Sequence, residues 1–280
     1  MEHLVKVQCI KHIYPDKTEV SLCGLEFIVD AGDRVVVLGP NGSGKTTLLS
    51  HILGLLSPVE GSVEVMGKRP DKSFNAVRKH IGVVFQNVDE QIIGPRVYDD
   101  IAFTLRNERL PGAEIDRRVR EVAQDLGIEG ILDKIPHYLS GGQKKKVALA
   151  GAIAMKPELL IMDEPFDGLD PKSKAEMVSL LNRLNRESGI TLIITTHDIN
   201  VVPQIASLIY VISAGRIVSK GRPAEIFDRI DLIKEANLEP PILTELFSRL
   251  RKRGIPVGRP DSIDQAEDML ARLLKAGLDS

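Results

Sequence analysis

The sequence predicts an α/β fold, with a buried and largely parallel sheet and helices packed between its strands. Three observations carry this. The runs RVVVLG (34–39), LLIMDEP (159–165) and TLIITTHD (191–198) are short, branched and apolar throughout, as strands covered on both faces are. Between them lie longer stretches with apolar residues at helical spacing, such as TTLLSHILGLL (46–56) and SKAEMVSLLNRLNRESG (173–189). Strands that alternate with helices in this way indicate a sheet wrapped by its crossovers.

In chain order, residues 3–10 and 25–30 predict strands on either side of the turn YPDKT, an N-terminal antiparallel β part. The strand 34–39 ends in glycine and runs into the helix 46–56. SVEVMG (62–67) and HIGVVFQ (80–86) are two further strands. Residues 97–135 and 143–155 carry helical patterns, so an inserted α-helical subdomain is expected over about 87–157. The strand 159–165, a helix over 173–189 ending at Gly189, the strand 191–198 and a helix over 199–206 come next. LIYVIS (208–213) and RIVSKG (216–221) close the sheet. After Pro240-Pro241 the character changes. Leu243, Leu246, Phe247 and Leu250 share one helical face, as do Ile263, Ala266, Met269, Leu270, Leu273 and Leu274. Ser262 and Gln265 suit a capping box for the second helix. The chain divides into a main domain, 1–235, and a small C-terminal helical extension, 236–280. Arg249, Arg251, Lys252 and Arg253 read as a solvated helix end, where cations suit the dipole.

Composition narrows the function. The net charge of −2 offers no electrostatic case for nucleic acid, and the absence of Trp disfavours a base-stacking platform. Cys9 and Cys23 form no CxxC pair, which predicts two unbridged thiols in a reducing cytosol rather than a disulfide or a zinc site. The start MEHLVKVQ lacks the basic flank and apolar stretch of a signal peptide. No apolar run approaches the roughly 20 residues that span a bilayer, so a membrane role is expected to come through a partner.

Chemistry concentrates in four places. GPNGSGKTT comprises Gly39, Pro40, Asn41, Gly42, Ser43, Gly44, Lys45, Thr46 and Thr47 and matches G-x-x-x-x-G-K-[ST] between a strand and a helix. Its glycines let backbone N–H groups wrap phosphate oxygens. Lys45 would reach the β- and γ-phosphates, and the Thr46 hydroxyl would ligate Mg²⁺. LLIMDEP delivers Asp163 and Glu164 to a strand end, Asp163 to hold Mg²⁺ through water and Glu164 to orient and deprotonate an attacking water. His197 and Gln86 close two more strands, and strand C-termini line the ligand crevice of a parallel sheet. In LSGGQKKKVALAGAIA, Ser140, Gly141 and Gly142 stand at a helix N-terminus, which favours an anion. Lys144, Lys145 and Lys146 are expected to face solvent.

Together these pieces resemble the ATPase subunit of an ABC transporter over residues 1 to about 235. The P-loop, Gln86, LSGGQ (139–143), LLIMDEP, GLD (168–170) and His197 occur in that family's order. The resemblance implies a P-loop NTPase core of the RecA-like type. It implies that Gln86 senses Mg²⁺ and water, that Asp170 contacts an opposite subunit, and that His197 meets the γ-phosphate. Tyr14 then matches the aromatic that stacks on adenine. Ser140, Gly141, Gly142 and Gln143 face the P-loop of a second ATPase subunit, with two ATP molecules held between head-to-tail partners.

The segment VFQNVDEQIIGPRVYDDIAFTLRN and the stretch EIFDRIDLIKEANLEPP resemble the energy-coupling-factor and cobalt/nickel importers. This implies a groove after Gln86 for an integral membrane transporter subunit, C-terminal helices that hold two ATPases together, and a peripheral place on the cytoplasmic face of the cell membrane. The cargo would be a metal ion or a vitamin. Asp167 departs from the Ser or Thr common before GLD. A homodimer and a pair of related ATPases both remain open. So do a soluble ABC ATPase without transport and a nucleotide-gated module that hardly hydrolyses.

Overall fold

A ten-stranded sheet organises the chain, and the computed structural model describes residues 3–260 and 262–278. The chain opens with β1 (Val5–Ile13), β2 (Glu19–Gly24) and β3 (Phe27–Val29), and then β4 (Arg34–Leu38) leads through a glycine loop into α1 (Lys45–Ile52). Next come β5 (Glu60–Val65), α2 (Phe74–Val77) and β6 (Ile81–Val84). Four helices precede the next strand: α3 (Val88–Gln91), α4 (Val97–Asn107), α5 (Gly112–Leu126) and α6 (Gly141–Ile153). Then follow β7 (Leu159–Asp163), α7 (Pro171–Ser188), β8 (Thr191–Thr196), α8 (Val202–Ile205), β9 (Leu208–Ser213) and β10 (Arg216–Gly221). The chain ends in α9 (Pro223–Phe227), α10 (Ile230–Glu235), α11 (Ile242–Lys252) and α12 (Ile263–Leu278).

Strands β9, β4, β8, β7 and β6 lie side by side and parallel. β1 pairs antiparallel with β2, β3 and β5, and β10 joins the two parts by pairing with β2 and β9. Alternation along each central strand builds a core on both faces. Val36 and Leu38 of β4 pack with the helices α4 to α7, whereas Val35 and Val37 pack toward α1 and the N-terminal strands. The Tyr210 hydroxyl donates to Ile28 O and accepts from Ile28 N, both at 2.9 Å, which pins β3 to β9. All strand C-termini of the parallel part open on one edge, where the charged residues after β7 and β8 collect.

Several sequence expectations change here. The strand β2 is absent from the sequence reading, because EVSLCG carries only one fully buried side chain and shows no clean alternation. The helix over 199–206 shrinks to α8, as Asp198–Val201 form a turn capped by Asp198. The pattern over 97–135 splits at Leu110-Pro111, where proline cannot continue a helix.

The two cysteines are bridged. Cys9 and Cys23 form a disulfide with their Cα atoms 4.1 Å apart. The expectation of unbridged thiols fails because β1 and β2 run antiparallel with Ile10 opposite Leu22, which sets Cys9 against Cys23 in the next register pair. Pairing register is invisible in cysteine spacing, and the redox argument for a cytosolic setting falls with it.

After α10 a separate small cluster forms, in which Phe247, Val257 and Ala266 are buried with Leu243, Leu250, Met269 and Leu273 against them. Ser262 Oγ accepts from the Gln265 backbone N–H at 3.2 Å, one half of the expected capping box. Among the described residues no helix is long and apolar enough to cross a membrane.

Candidate functional site

The loop between β4 and α1 takes its shape from glycine. Gly44 has φ of 103°, a region closed to most side chains, and Gly42 has φ of 77°. Gly39 is needed for close approach, since a Cβ there would meet Ile212 O and Ser43 Oγ at 2.5 Å. The loop delivers α1 with no side-chain cap, so its first-turn amides are open to an anion. The Ser43 hydroxyl is buried and has no hydrogen-bond partner.

Lys45 curls across this loop. Its Nζ donates to Gly39 O at 2.8 Å and to Pro40 O at 3.2 Å, and lies 3.5 Å from Glu164 Oε1. Thr46 Oγ1 donates to Asp163 Oδ2 at 3.0 Å, while Thr195 Oγ1 donates to Asp163 Oδ1. β7 and β8 are adjacent and parallel with Asp163 opposite Thr195, so their ends bring these groups together. Thr47 is buried on α1 and hydrogen-bonds with the Tyr14 hydroxyl at 2.9 Å, which fixes the half-buried Tyr14 ring beside the start of that helix.

Glu164 occupies a strained backbone, φ 49°, costing about 1 kcal/mol for a residue with a side chain. Its N–H is shared between Thr195 O and Thr195 Oγ1 at 3.2 and 3.1 Å. The carboxylate Oε2 accepts from the His197 backbone N–H at 3.1 Å and lies 3.0 Å from His197 Nδ1. Oε1 is buried without a hydrogen bond, although the Lys45 ammonium is close. His197 reaches solvent, its side chain 48% exposed, whereas Lys45, Asp163 and Glu164 are buried.

The structure therefore brings Lys45, Thr46, Asp163, Glu164 and His197 together. Gln86 stands exposed just beyond β6, at the level of Glu164, because Val84 pairs with Met162. Its loop is shaped by Gln91, which the sequence reading did not single out. The Gln91 amide accepts from Phe85 N at 2.8 Å and donates to Val83 O at 2.9 Å.

The turn at Ser140 is elsewhere. Ser140 caps α6 in a reciprocal box, its Oγ accepting from Gln143 N at 3.3 Å and its own N–H donating to Gln143 Oε1 at 3.1 Å. Ser140 and Gly141 are exposed, and the nearest side chains to Gly142 are Ser173 and Leu169. Among the described residues, no hydrogen bond or ion pair joins this turn to the loop 39–47. Asp170 caps α7, accepting from Ser173 N at 3.0 Å, and the bonds from the Ser173 hydroxyl and amide hold its carboxyl below the usual range.

Of the three lysines after Gln143, Lys144 and Lys146 stay at the surface and Lys145 departs from the expectation of facing solvent. Lys144 Nζ pairs with Asp89 at 2.6 Å and Lys146 Nζ with Glu176 at 3.3 Å. Lys145 is buried, and its Nζ donates to the carbonyls of Glu164, Pro165 and Asp167. Helical spacing held the clue, since Ala148 and Leu149 lie three and four residues on along the buried face of α6.

The donor set fits Mg²⁺ beside a polyphosphate. Asp163 and Thr46 supply hard oxygens and little else, and among the described residues no cluster of three or more His, Cys, Asp or Glu could hold a metal by itself. Magnesium is commonly bound in that way, through one or two protein oxygens plus phosphate and water. The unpartnered Ser43 Oγ and Glu164 Oε1 are buried polar atoms that a nucleotide and its water can satisfy.

The family model for ABC transporters matches residues 22–167, which contain the glycine loop, the capped turn at Ser140 and the Asp163–Glu164 pair. The chain belongs to the ABC transporter family, as an ATP-binding protein. A model for an AAA domain also matches residues 135–202. The energy-coupling factor transporter ATP-binding protein EcfA of Methanocaldococcus jannaschii is 42% identical, over 98% of this chain and 99% of its own. EcfA of Methanococcus maripaludis is 41% identical, over 97% and 99%. The solved structure of CbiO1 from Clostridium perfringens, described as part of the ABC transporter complex CbiONQ, superposes with a TM-score of 0.76. It is 38% identical and covers 88% of this chain and 99% of its own. The chain is thus an ABC-type ATPase of the energy-coupling-factor type, hydrolysing ATP in the service of transport. Its fold is the P-loop NTPase fold of that family.

Proposed function

We propose that the chain is the ATP-hydrolysing subunit of a membrane importer of the energy-coupling-factor type. It works as a head-to-tail ATPase dimer that drives uptake of a metal ion or a vitamin. The observation that carries the dimer is the exposed, capped turn at Ser140, which has no bond to its own P-loop and an open helix N-terminus to offer.

In this reading the amides of Gly42 to Thr47 cradle the phosphates of ATP, and Lys45 turns from the loop carbonyls to the β- and γ-phosphates. Tyr14 stacks on adenine. Thr46 and Asp163 would hold Mg²⁺, which Gln86 would sense, and the ion would neutralise the charge that develops on the phosphates. Glu164 orients the attacking water and takes its proton. His197, tied to the Glu164 carboxylate, faces the γ-phosphate and fixes the carboxylate's direction. Ser140, Gly141, Gly142 and Gln143 bind the γ-phosphate of the ATP on the partner's P-loop, and Asp170 lies at the same interface. ATP therefore joins the two subunits, and its hydrolysis releases them.

The membrane subunit would dock in the cleft of about 270 Å³ bounded by β6, α4 and α6. Phe85, Ile93 and Phe103 are exposed there or at its rim, apolar surface suited to a partner helix. The relatives' names, a transporter's ATP-binding protein and a part of a transporter complex, support this partnership, and a peripheral place on the cytoplasmic face of the membrane goes with it in this reading. The extension after residue 235 would stay paired between strokes. The test is co-purification of the tagged chain from detergent-solubilised native membranes. A polytopic subunit with a small substrate-binding membrane protein is expected, and recovery from the soluble fraction alone would contradict the proposal.

A further inference from the structure

Lys145 is a buried charge that the ATPase chemistry above leaves unused. It sits five residues after Ser140, so the rise of α6 sets it about 7.5 Å along the helix from the capped turn. Its side chain crosses to the turn that follows β7. There the ammonium donates to Pro165 O at 2.9 Å, to Glu164 O at 3.4 Å and to Asp167 O. Three donors meet three carbonyls, so the group is satisfied despite its burial. Burial nevertheless lowers its pKa, opposed by Asp167 and Glu164. A buried ammonium is costly to desolvate, and it is held here by three carbonyls that a Met or Leu would leave without this donor.

The carbonyls it grips belong to one short turn. Glu164 O also accepts from Asp167 N at 3.2 Å, so the turn closes on itself around the ammonium. Glu164 enters that turn in a left-handed conformation and is held on its other side by Thr195. Such a conformation persists only where its surroundings over-determine it. Lys145 is the charged group that holds the backbone of that turn, and it comes from the helix whose first turn is Ser140–Gly142.

We propose that Lys145 is a positioning residue that ties the first turn of α6 to the backbone of Glu164, so that occupancy of the partner's ATP site at Ser140 aligns the hydrolytic carboxylate of this subunit's own site. The inference rests on the proposed roles of Ser140 and Glu164. It gives the two ATP sites of a dimer a physical link inside each subunit. Phosphate binding at the helix end steadies α6, Lys145 carries that to the carbonyls, and the Glu164 side chain is held on line with His197. Each site is then readied for hydrolysis by the filling of the other.

The experiment is a double-mutant cycle on the full chain, with steady-state and single-turnover hydrolysis of Mg·ATP. Lys145→Met removes the donors at similar volume, and Lys145→Gln keeps an amide donor. Each is made alone and with Glu164→Gln. Lys145→Met is expected to lower kcat about tenfold or more, with KM within about twofold. The Hill coefficient for ATP should fall toward one, and Lys145→Gln should lie between. In the Glu164→Gln background Lys145→Met should remove nothing further, because it acts through that carboxylate. An equal loss in both backgrounds would mark a merely structural lysine and overturn the proposal, as would unchanged kcat. Should Lys145→Met fail to show a cooperative melting transition, Lys145→Gln carries the same cycle. If Glu164→Gln alone leaves turnover intact, the assignment of Glu164 fails first and this inference with it. If Glu164→Gln lowers turnover as expected but the cycle on its residual rate is additive, only the role of Lys145 falls.

Discussion

The loop 39–47 and the turn 140–143 both open a helix and are both proposed to bind phosphate, yet they are built in opposite ways. The first is embedded. Lys45, Thr46, Asp163, Glu164, Thr195 and His197 form one continuous net of hydrogen bonds and ion pairs across β4, β7 and β8. The second stands alone, exposed, with its cap bonds satisfied inside four residues. An embedded site can organise a nucleotide by itself. An exposed capped turn can only complete a site whose other half comes from elsewhere. In the proposed dimer the chain contributes its embedded loop to one site and its exposed turn to the neighbour's.

The sharpest way to break this comparison is Glu164→Gln. It removes the base from the embedded half while sparing the phosphate cradle. Turnover should fall about 10²–10⁴-fold, ATP binding should persist, and light scattering in Mg·ATP should show a trapped dimer. A monomer under those conditions would deny that the nucleotide joins two chains. Ser140→Arg should cost about 10²–10³-fold in turnover, but with nucleotide affinity of the isolated chain unchanged in a fluorescent-ATP titration. Loss of that affinity would mean that the turn serves its own P-loop.

Smaller effects test the embedded half as architecture. Gly39→Ala forces a Cβ against Ile212 O and Ser43 Oγ, and should cost about 1–3 kcal/mol in chemical denaturation. Gly141→Ala has open space around its Cβ and no positive φ, so it should cost well under that. Equal costs would mean that the two loops are not built differently. A last effect, read in stability rather than turnover, is one of pH. His51, near the end of α1, is pushed down to about 4 by burial and by the neighbouring His12. Between that value and the ordinary 6.5 the unfolded chain takes a proton that the folded chain refuses. Stability should therefore fall as pH drops from about 6.5 to 4, by roughly 3 kcal/mol at most, and His51→Gln should flatten that slope.

How far the sequence was readable differs between these parts for physical reasons. The embedded site could be read because each of its pieces is local. Left-handed backbone demands Gly42 and Gly44, and strands β7 and β8 must end where Asp163, Glu164 and His197 stand. The sheet was readable because RVVVL, LLIMD and TLIITT are apolar on both faces. What failed depends on contacts between distant segments. The Cys9–Cys23 bridge follows from the β1–β2 register, which cysteine spacing does not encode. Lys145 looked like one of three surface charges, because its partners are backbone carbonyls about 20 residues away that no side-chain pattern reveals. Gln91 shapes the Gln86 loop through backbone groups for the same reason.

The central claim is that Ser140–Gln143 completes the site of another subunit, and mixing two dead chains tests it most directly. Ser140→Arg keeps its embedded half and spoils the turn, while Lys45→Ala keeps the turn and spoils the P-loop. Each alone should be inactive. Mixed in Mg·ATP, they should regain turnover, because the intact loop of one meets the intact turn of the other. A mixture that stays as inactive as its parts, although scattering shows the mixed dimer, would contradict the shared site.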